Sequence, residues 1–151
     1  MANTELVTGI TAEQRLVLID AWKLVKLDIV THGTNIFLKF FELNPEYLGY
    51  FDFSMDYGAK ELKDNKSLHA HALNVMNFFG AIIEYGLDHP IMYNSSLSKM
   101  VINHKRHTVS KPDVEVVCGI IKDYCLQTLG HSDELEDAFT ALLNSIIKAF
   151  D

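Results

Sequence analysis

The chain has 151 residues, 48% of them hydrophobic, a formal net charge of −7, three prolines and eight glycines. That length suits one sizeable core, so residues 1–151 are expected to form a single domain, and the sparse glycine and proline favour long helices over many strands and turns. The acidic balance argues against nucleic acid and against an anionic membrane surface as partner, and no apolar run reaches the roughly 18 residues that a bilayer span needs.

Met1 to Thr11 carries Glu5 and lacks a basic start followed by an apolar run, so it does not read as a secretion signal and a cytoplasmic protein is expected. Thr11 with Gln14 has the form of a capping box, and the first helix should follow it with Leu16, Ile19, Trp22 and Val25 or Lys26 at helical spacing. A second helix runs through Ile36, Phe37, Phe40 and Phe41, with Gly33 near its start. It stops before Asn44-Pro45, because a residue preceding proline is pushed out of the helical region. Pro45 then suits the first turn of a short helix. Tyr47 to Tyr57 follows, an aromatic-rich connection without clear periodicity.

A long helix is expected over about Gly58 to Tyr85, with the stripe Leu68, Ala72, Val75, Phe78 or Phe79, and Ile82. Gly86 and Pro90 should end it, leaving a loop from Gly86 to Ser95. A shorter helix from Ser95 to Lys105 places Leu97, Met100, Val101 and His104 on one face. Ser110 or Lys111 leads through Pro112 into a helix carrying Val114, Val117, Ile121, Tyr124 and Leu129, closed by Gly130. Ser132 or Asp133 caps the last helix, whose stripe is Leu135, Phe139, Leu142, Leu143, Ile146, Ile147 and Phe150. The class is all-α.

Cys118 and Cys125 fall seven residues apart on one helix, so their Cα atoms stand about 10 Å apart, too far for a disulfide. They read as small buried apolar residues. Of the seven histidines, His32, His89 and His131 adjoin glycine or proline at helix edges and read as structural or surface residues. His71 and His104 each interrupt a stripe otherwise built for burial. A buried imidazole is costly without a partner. A metal ion is one such partner, and iron accepts neutral imidazole. On two helices they could face each other across a cleft that holds a flat cofactor with one axial ligand per side. Spacing alone still favours two satisfied core histidines.

Trp22, His32-Gly33, Phe41, Asn44-Pro45-Glu46, Phe51-Asp52, His71-Ala72-Leu73-Asn74-Val75, and His104-Lys105 followed by Val109 occur in this order. With them the chain resembles the globin family from about Thr11 to Phe150. The run from His104 to Lys111 resembles insect intracellular globins in particular. The resemblance implies a globin fold of about eight helices packed around a haem pocket, with haem b as cofactor. It makes His104 the proximal iron ligand, its Nδ1–H held by a carbonyl or hydroxyl one turn earlier. His71 becomes the distal histidine, either donating a hydrogen bond to O₂ or serving as sixth ligand. Phe51 would pack on the porphyrin, Val75 would limit ligand size, and Phe37 would narrow the distal pocket without donating a hydrogen bond. Phe79 joins the pocket wall, and Met100, Val109, Val114 and Val117 line its proximal side.

His69 competes for the distal role, but on a helix it points elsewhere than His71. His107 competes with His104, yet only His104 continues the Leu97-Met100-Val101 stripe; His107 reads as a contact for a haem propionate or as a solvated loop residue. Asn74 stands where many globins carry a basic residue towards a propionate, so that support would fall to His107, Lys105 or Arg106. His71 and His104 are 33 positions apart, and the loop from Gly86 to Ser95 is expected to absorb the length. The implied function is reversible binding of O₂ for storage or transport, with CO and NO as further ligands, in a monomer or homodimer and not a dedicated enzyme. The alternatives are a six-coordinate globin acting as nitric oxide dioxygenase or redox or gas sensor, and a cofactor-free helical module.

Overall fold

Thr11 opens the first helix through a closed capping box: its hydroxyl accepts from the Gln14 N–H and the Gln14 side-chain oxygen accepts from the Thr11 N–H, both at 3.0 Å. The computed structural model describes residues 9–53 and 60–151. Among them lie six α-helices: α1 (Ala12–Lys26), α2 (Ile29–Leu43), α3 (Lys66–Glu84), α4 (Pro90–Arg106), α5 (Lys111–Leu129) and α6 (Asp133–Lys148). Three short 3₁₀ turns, Pro45–Tyr50, Leu62–Asp64 and Gly86–Asp88, join them, and the described residues include no strand element. None of these helices is long and apolar enough to cross a membrane.

Helix α1 packs on α6, α2 crosses α3, and α5 lies against both α2 and α6. The α2–α3 crossing depends on Gly33. A Cβ at that position would stand 2.7 Å from Met76 Cγ and 3.2 Å from the Ala72 carbonyl oxygen. Backbones approach this closely only where a side chain is missing. The main core joins Trp22, Val25, Phe79, Ile82, Tyr93, Leu97, Val114, Phe139 and Leu142 from five helices. A second, aromatic cluster gathers Phe37, Phe40 and Phe41 of α2 with Leu68 and Ala72 of α3. Arg15 fastens α1 to the end of α3, donating to the Glu84 carbonyl at 3.2 Å and pairing with Asp88 at 2.9 Å.

Several expected boundaries shift. In α1 the buried face is Leu18, Ala21, Trp22 and Val25, while Leu16 is 59% exposed. Both phasings share Trp22 and Val25, and the neighbouring helices decide between them. Helix α2 begins at Ile29, before Gly33. Helix α3 starts at Lys66, capped by the Asn65 side chain accepting from the Leu68 N–H at 3.0 Å; the expected start at Gly58 lies outside the described residues. Helix α3 ends at Glu84, and Pro90, expected with Gly86 to end it, instead sits in the first turn of α4, five residues ahead of the expected start at Ser95. Proline has no N–H to lose there, so the supposed loop from Gly86 to Ser95 is a 3₁₀ turn and new helix, and it buries Tyr93 completely. Helix α5 ends on Gly130 at φ +92°, a conformation that glycine adopts without strain. Both cysteines are buried and free.

Candidate functional site

Helix α4 ends on three residues with basic side chains, His104, Lys105 and Arg106, and its half-buried residue His104 is held by its own helix. The His104 Nδ1 lies 2.7 Å from the Met100 carbonyl oxygen. A carbonyl only accepts, so Nδ1 carries the proton and the lone pair of the neutral ring stays on Nε2. The Phe150 ring meets the imidazole edge-on, centroids 5.9 Å apart. From α3, the half-buried His71 ring is fixed by two edge contacts, with Phe37 and Phe51, each 4.8 Å between centroids. Neither His71 nitrogen has a hydrogen-bond partner among the described residues. Burial holds the His71 pKa below the ordinary histidine range, and the nearness of the His104 ring adds to the effect. His71 is therefore neutral at neutral pH, with one N–H to donate and one lone pair.

Both histidines line one cavity of about 840 Å³, within the range of small-molecule and cofactor sites. Phe37, Val75 and Phe79 form part of its wall, and Phe51 closes another part. Met100, Val109, Val114 and Val117 line it from α4, the connection after it, and α5. His107 reaches it too, although it is exposed and its Nδ1 donates to the Asn103 carbonyl at 3.1 Å. His69 does not line it; its Nε2 is turned to the Lys63 carbonyl at 2.7 Å. His32 shares a 2.8 Å hydrogen bond with the Tyr124 hydroxyl on α5, and His131 pairs with Glu136 on the surface.

Further cavity residues were not singled out from sequence. Phe40, Phe53 and Phe78 extend the aromatic wall, and Cys118, Ile121 and Ile146 form more of the apolar lining. Lys99 and Asn103 of α4 stand at steps of four with His107, the residue that caps the helix, a spacing visible in the sequence. Tyr47 and Asp113 also line the cavity, joined by a hydrogen bond from the Tyr47 hydroxyl to Asp113 Oδ1 at 2.8 Å. The Ser110-to-Asp113 capping pattern was a readable signal for Asp113; nothing in the sequence marks Tyr47 as its partner. The Phe51 segment is pinned to α3 as well, because Asn65 Nδ2 donates to the Phe53 carbonyl at 2.9 Å while Phe53 stacks on Phe51.

Two helices of an all-helical protein thus each bring an imidazole to the lining of one mostly apolar cavity. The family model described as Globin matches residues 34–150, and the chain belongs to the globin family. The chain is 25% identical over 147 residues to a Casuarina glauca protein named anaerobic nitrite reductase HBI, with 92% of this chain and 93% of that one covered. It is 30% identical over 147 residues to anaerobic nitrite reductase HBII of the same species, covering 93% and 90%. A myoglobin of Hemitriakis japanica is 31% identical over 84 residues, 56% of each chain.

Proposed function

We propose that this globin, acting as one domain, holds haem b in the cavity and binds O₂ reversibly for storage or delivery. The observation that carries the reading is the commitment of His104 Nδ1 to the Met100 carbonyl, which leaves a ligating lone pair on a cavity wall. The residues fit the group: the space is about 840 Å³, the lining is mostly apolar, and His71 adds a second imidazole that lacks a hydrogen-bond partner among the described residues. Haem supplies ferrous iron, on which diatomic gases bind reversibly.

The chain's own residues do the rest. His104 would hold the iron through Nε2, its ring direction fixed by the Met100 carbonyl. Met100, Val109, Val114 and Val117 would pack beside it, and Phe51 would wedge the macrocycle. Phe79 extends the apolar wall. Phe37 and Val75 narrow the space left for a gas, and the aromatic wall keeps water away. His71, kept neutral by burial, can donate its N–H to a polarised diatomic ligand, a bond worth about 1 kcal/mol. At the mouth, Lys99 and His107 offer positive or donor groups to carboxylates.

The names of the two Casuarina relatives favour a second reading, in which the same cavity reduces nitrite with electrons from a separate donor. The two are separated by experiment. Ferrous protein should show a reversible spectral change with O₂ and with CO; turnover of nitrite under anaerobic conditions with a supplied reductant, far above that of free haem, would move the balance to the enzyme. One broad visible band in the gas-free ferrous state marks five-coordinate iron with His71 as hydrogen-bond donor, and sharp split bands mark His71 as sixth ligand. His104→Ala is expected to lose haem or its stable ferrous spectrum, and a variant spectrum identical to the parent's would remove His104 from the site.

A further inference from the structure

We infer that Tyr47 is a positioning residue for cofactor retention: its hydroxyl ties the 3₁₀ turn leading into Phe51 to the start of α5, so that two walls of the cavity close together. The inference rests on the haem-binding reading above. Tyr47 is the third residue of the Pro45–Tyr50 turn, and the turn is closed by the Phe51 N–H donating to the Leu48 carbonyl at 3.2 Å. Whatever holds Tyr47 therefore holds Phe51, four residues on. The ring of Tyr47 packs between two others, 4.8 Å from Phe40 and 5.6 Å from Tyr50. Its hydroxyl crosses to Asp113, 66 residues away in the chain.

Asp113 is itself anchored. Its Oδ2 accepts from the Ser110 N–H and from the Ser110 hydroxyl, each at 2.8 Å, as the reciprocal half of the capping box of α5. Oδ1 is left for Tyr47. Among the described residues no other hydrogen bond joins the 45–50 turn to α5. The bond is charge-assisted, because the Asp113 carboxyl stays ionised and the Tyr47 phenol stays protonated: the hydrogen bond to Asp113, helped by burial, pushes Tyr47 up to about 12. Such bonds are roughly twice as strong as neutral ones. Both partners line the cavity. Parting them removes the hydrogen-bonded tie between the aromatic wall and α5 and leaves only the apolar packing of Val116, Val117 and Ile120 on that wall.

The test uses the full chain loaded with haemin, and reads the rate at which haem passes to an excess of a colourless apo-globin acceptor. Tyr47→Phe keeps the ring and removes only the hydroxyl. It is expected to lose haem about tenfold faster than the parent, the rate equivalent of about 1.4 kcal/mol. Asp113→Ala should also lose haem faster, and the double variant no faster than Asp113→Ala alone, because both changes delete one interaction. A Tyr47→Phe rate within twofold of the parent's overturns the inference. So do rates that multiply in the double variant, or a loss of stability in the haem-free chain with unchanged haem release. A parent chain that shows no Soret band after haemin is added removes the haem reading itself, and this inference with it; a parent that holds haem with Tyr47→Phe unchanged removes this inference alone.

Discussion

The α2–α3 crossing gives a sharp test of the packing beneath the cavity. In Gly33→Ala a single methyl enters a space where Met76 Cγ would lie 2.7 Å away and the Ala72 carbonyl oxygen 3.2 Å away. The Met76 side chain can swing, but the Ala72 carbonyl belongs to α3 and moves only with it. Overpacking of this kind costs about 1–3 kcal/mol. Against it stands the helical preference of alanine over glycine, about 0.5–1 kcal/mol in a helix interior. The net expectation is a loss of about 1–2 kcal/mol, which for a chain of this size lowers Tm by roughly 2–8 °C. Gly119 on α5 is the control: it is exposed, and a Cβ there meets nothing within 4 Å. Gly119→Ala keeps only the helical gain and should raise stability by about 0.5–1 kcal/mol. Urea and thermal unfolding followed by circular dichroism measure both. Equal shifts in the two variants, or a Gly33→Ala protein as stable as the parent, would refute the close-crossing argument. Because α2 carries Phe37 and α3 carries His71, with rings 4.8 Å apart, the same variant should also loosen this contact.

Two more outcomes are expected. Burial alone would raise the Asp113 carboxyl, but bonds from the Ser110 N–H and hydroxyl and from Tyr47 outweigh it and hold the pKa below the usual carboxylate range. A carboxylate lowered by folding contributes its full stability above its unfolded pKa, about 4, and loses it as pH falls through the lower folded value. Asp113→Ala should therefore be less stable than the parent by about 1 kcal/mol near neutrality, with the gap closing below pH 4; urea titrations at pH 7 and pH 3 compare them, and a gap that widens in acid contradicts the sign. Burial pushes Cys118 and Cys125 up to about 12, so at pH 8 the native protein should give no rapid reaction with Ellman's reagent and two thiols after denaturation; one fast equivalent from native protein would show an accessible thiolate.

Where a feature depends on residues within about four positions, the sequence determined it. The Thr11–Gln14 box, the stripe of α6 and the glycine that ends α5 are all of this kind, since hydrogen bonds and helical periodicity act over one turn; the Nδ1 anchor of His104 was implied by the family resemblance. The stripes also placed His71 and His104 on separate helices, while the family resemblance supplied the valines and phenylalanines that the structure places along the same cavity. Tertiary structure alone decided the rest. It set the phase of α1, where Leu16 and Leu18 are equally apolar and packing against α6, α3 and α2 chooses between them. It brought Tyr47 to Asp113 across 66 residues, and Gly33 against Ala72. Contacts between distant segments leave no periodic trace in the chain, because their free energy is realised only when the helices have packed.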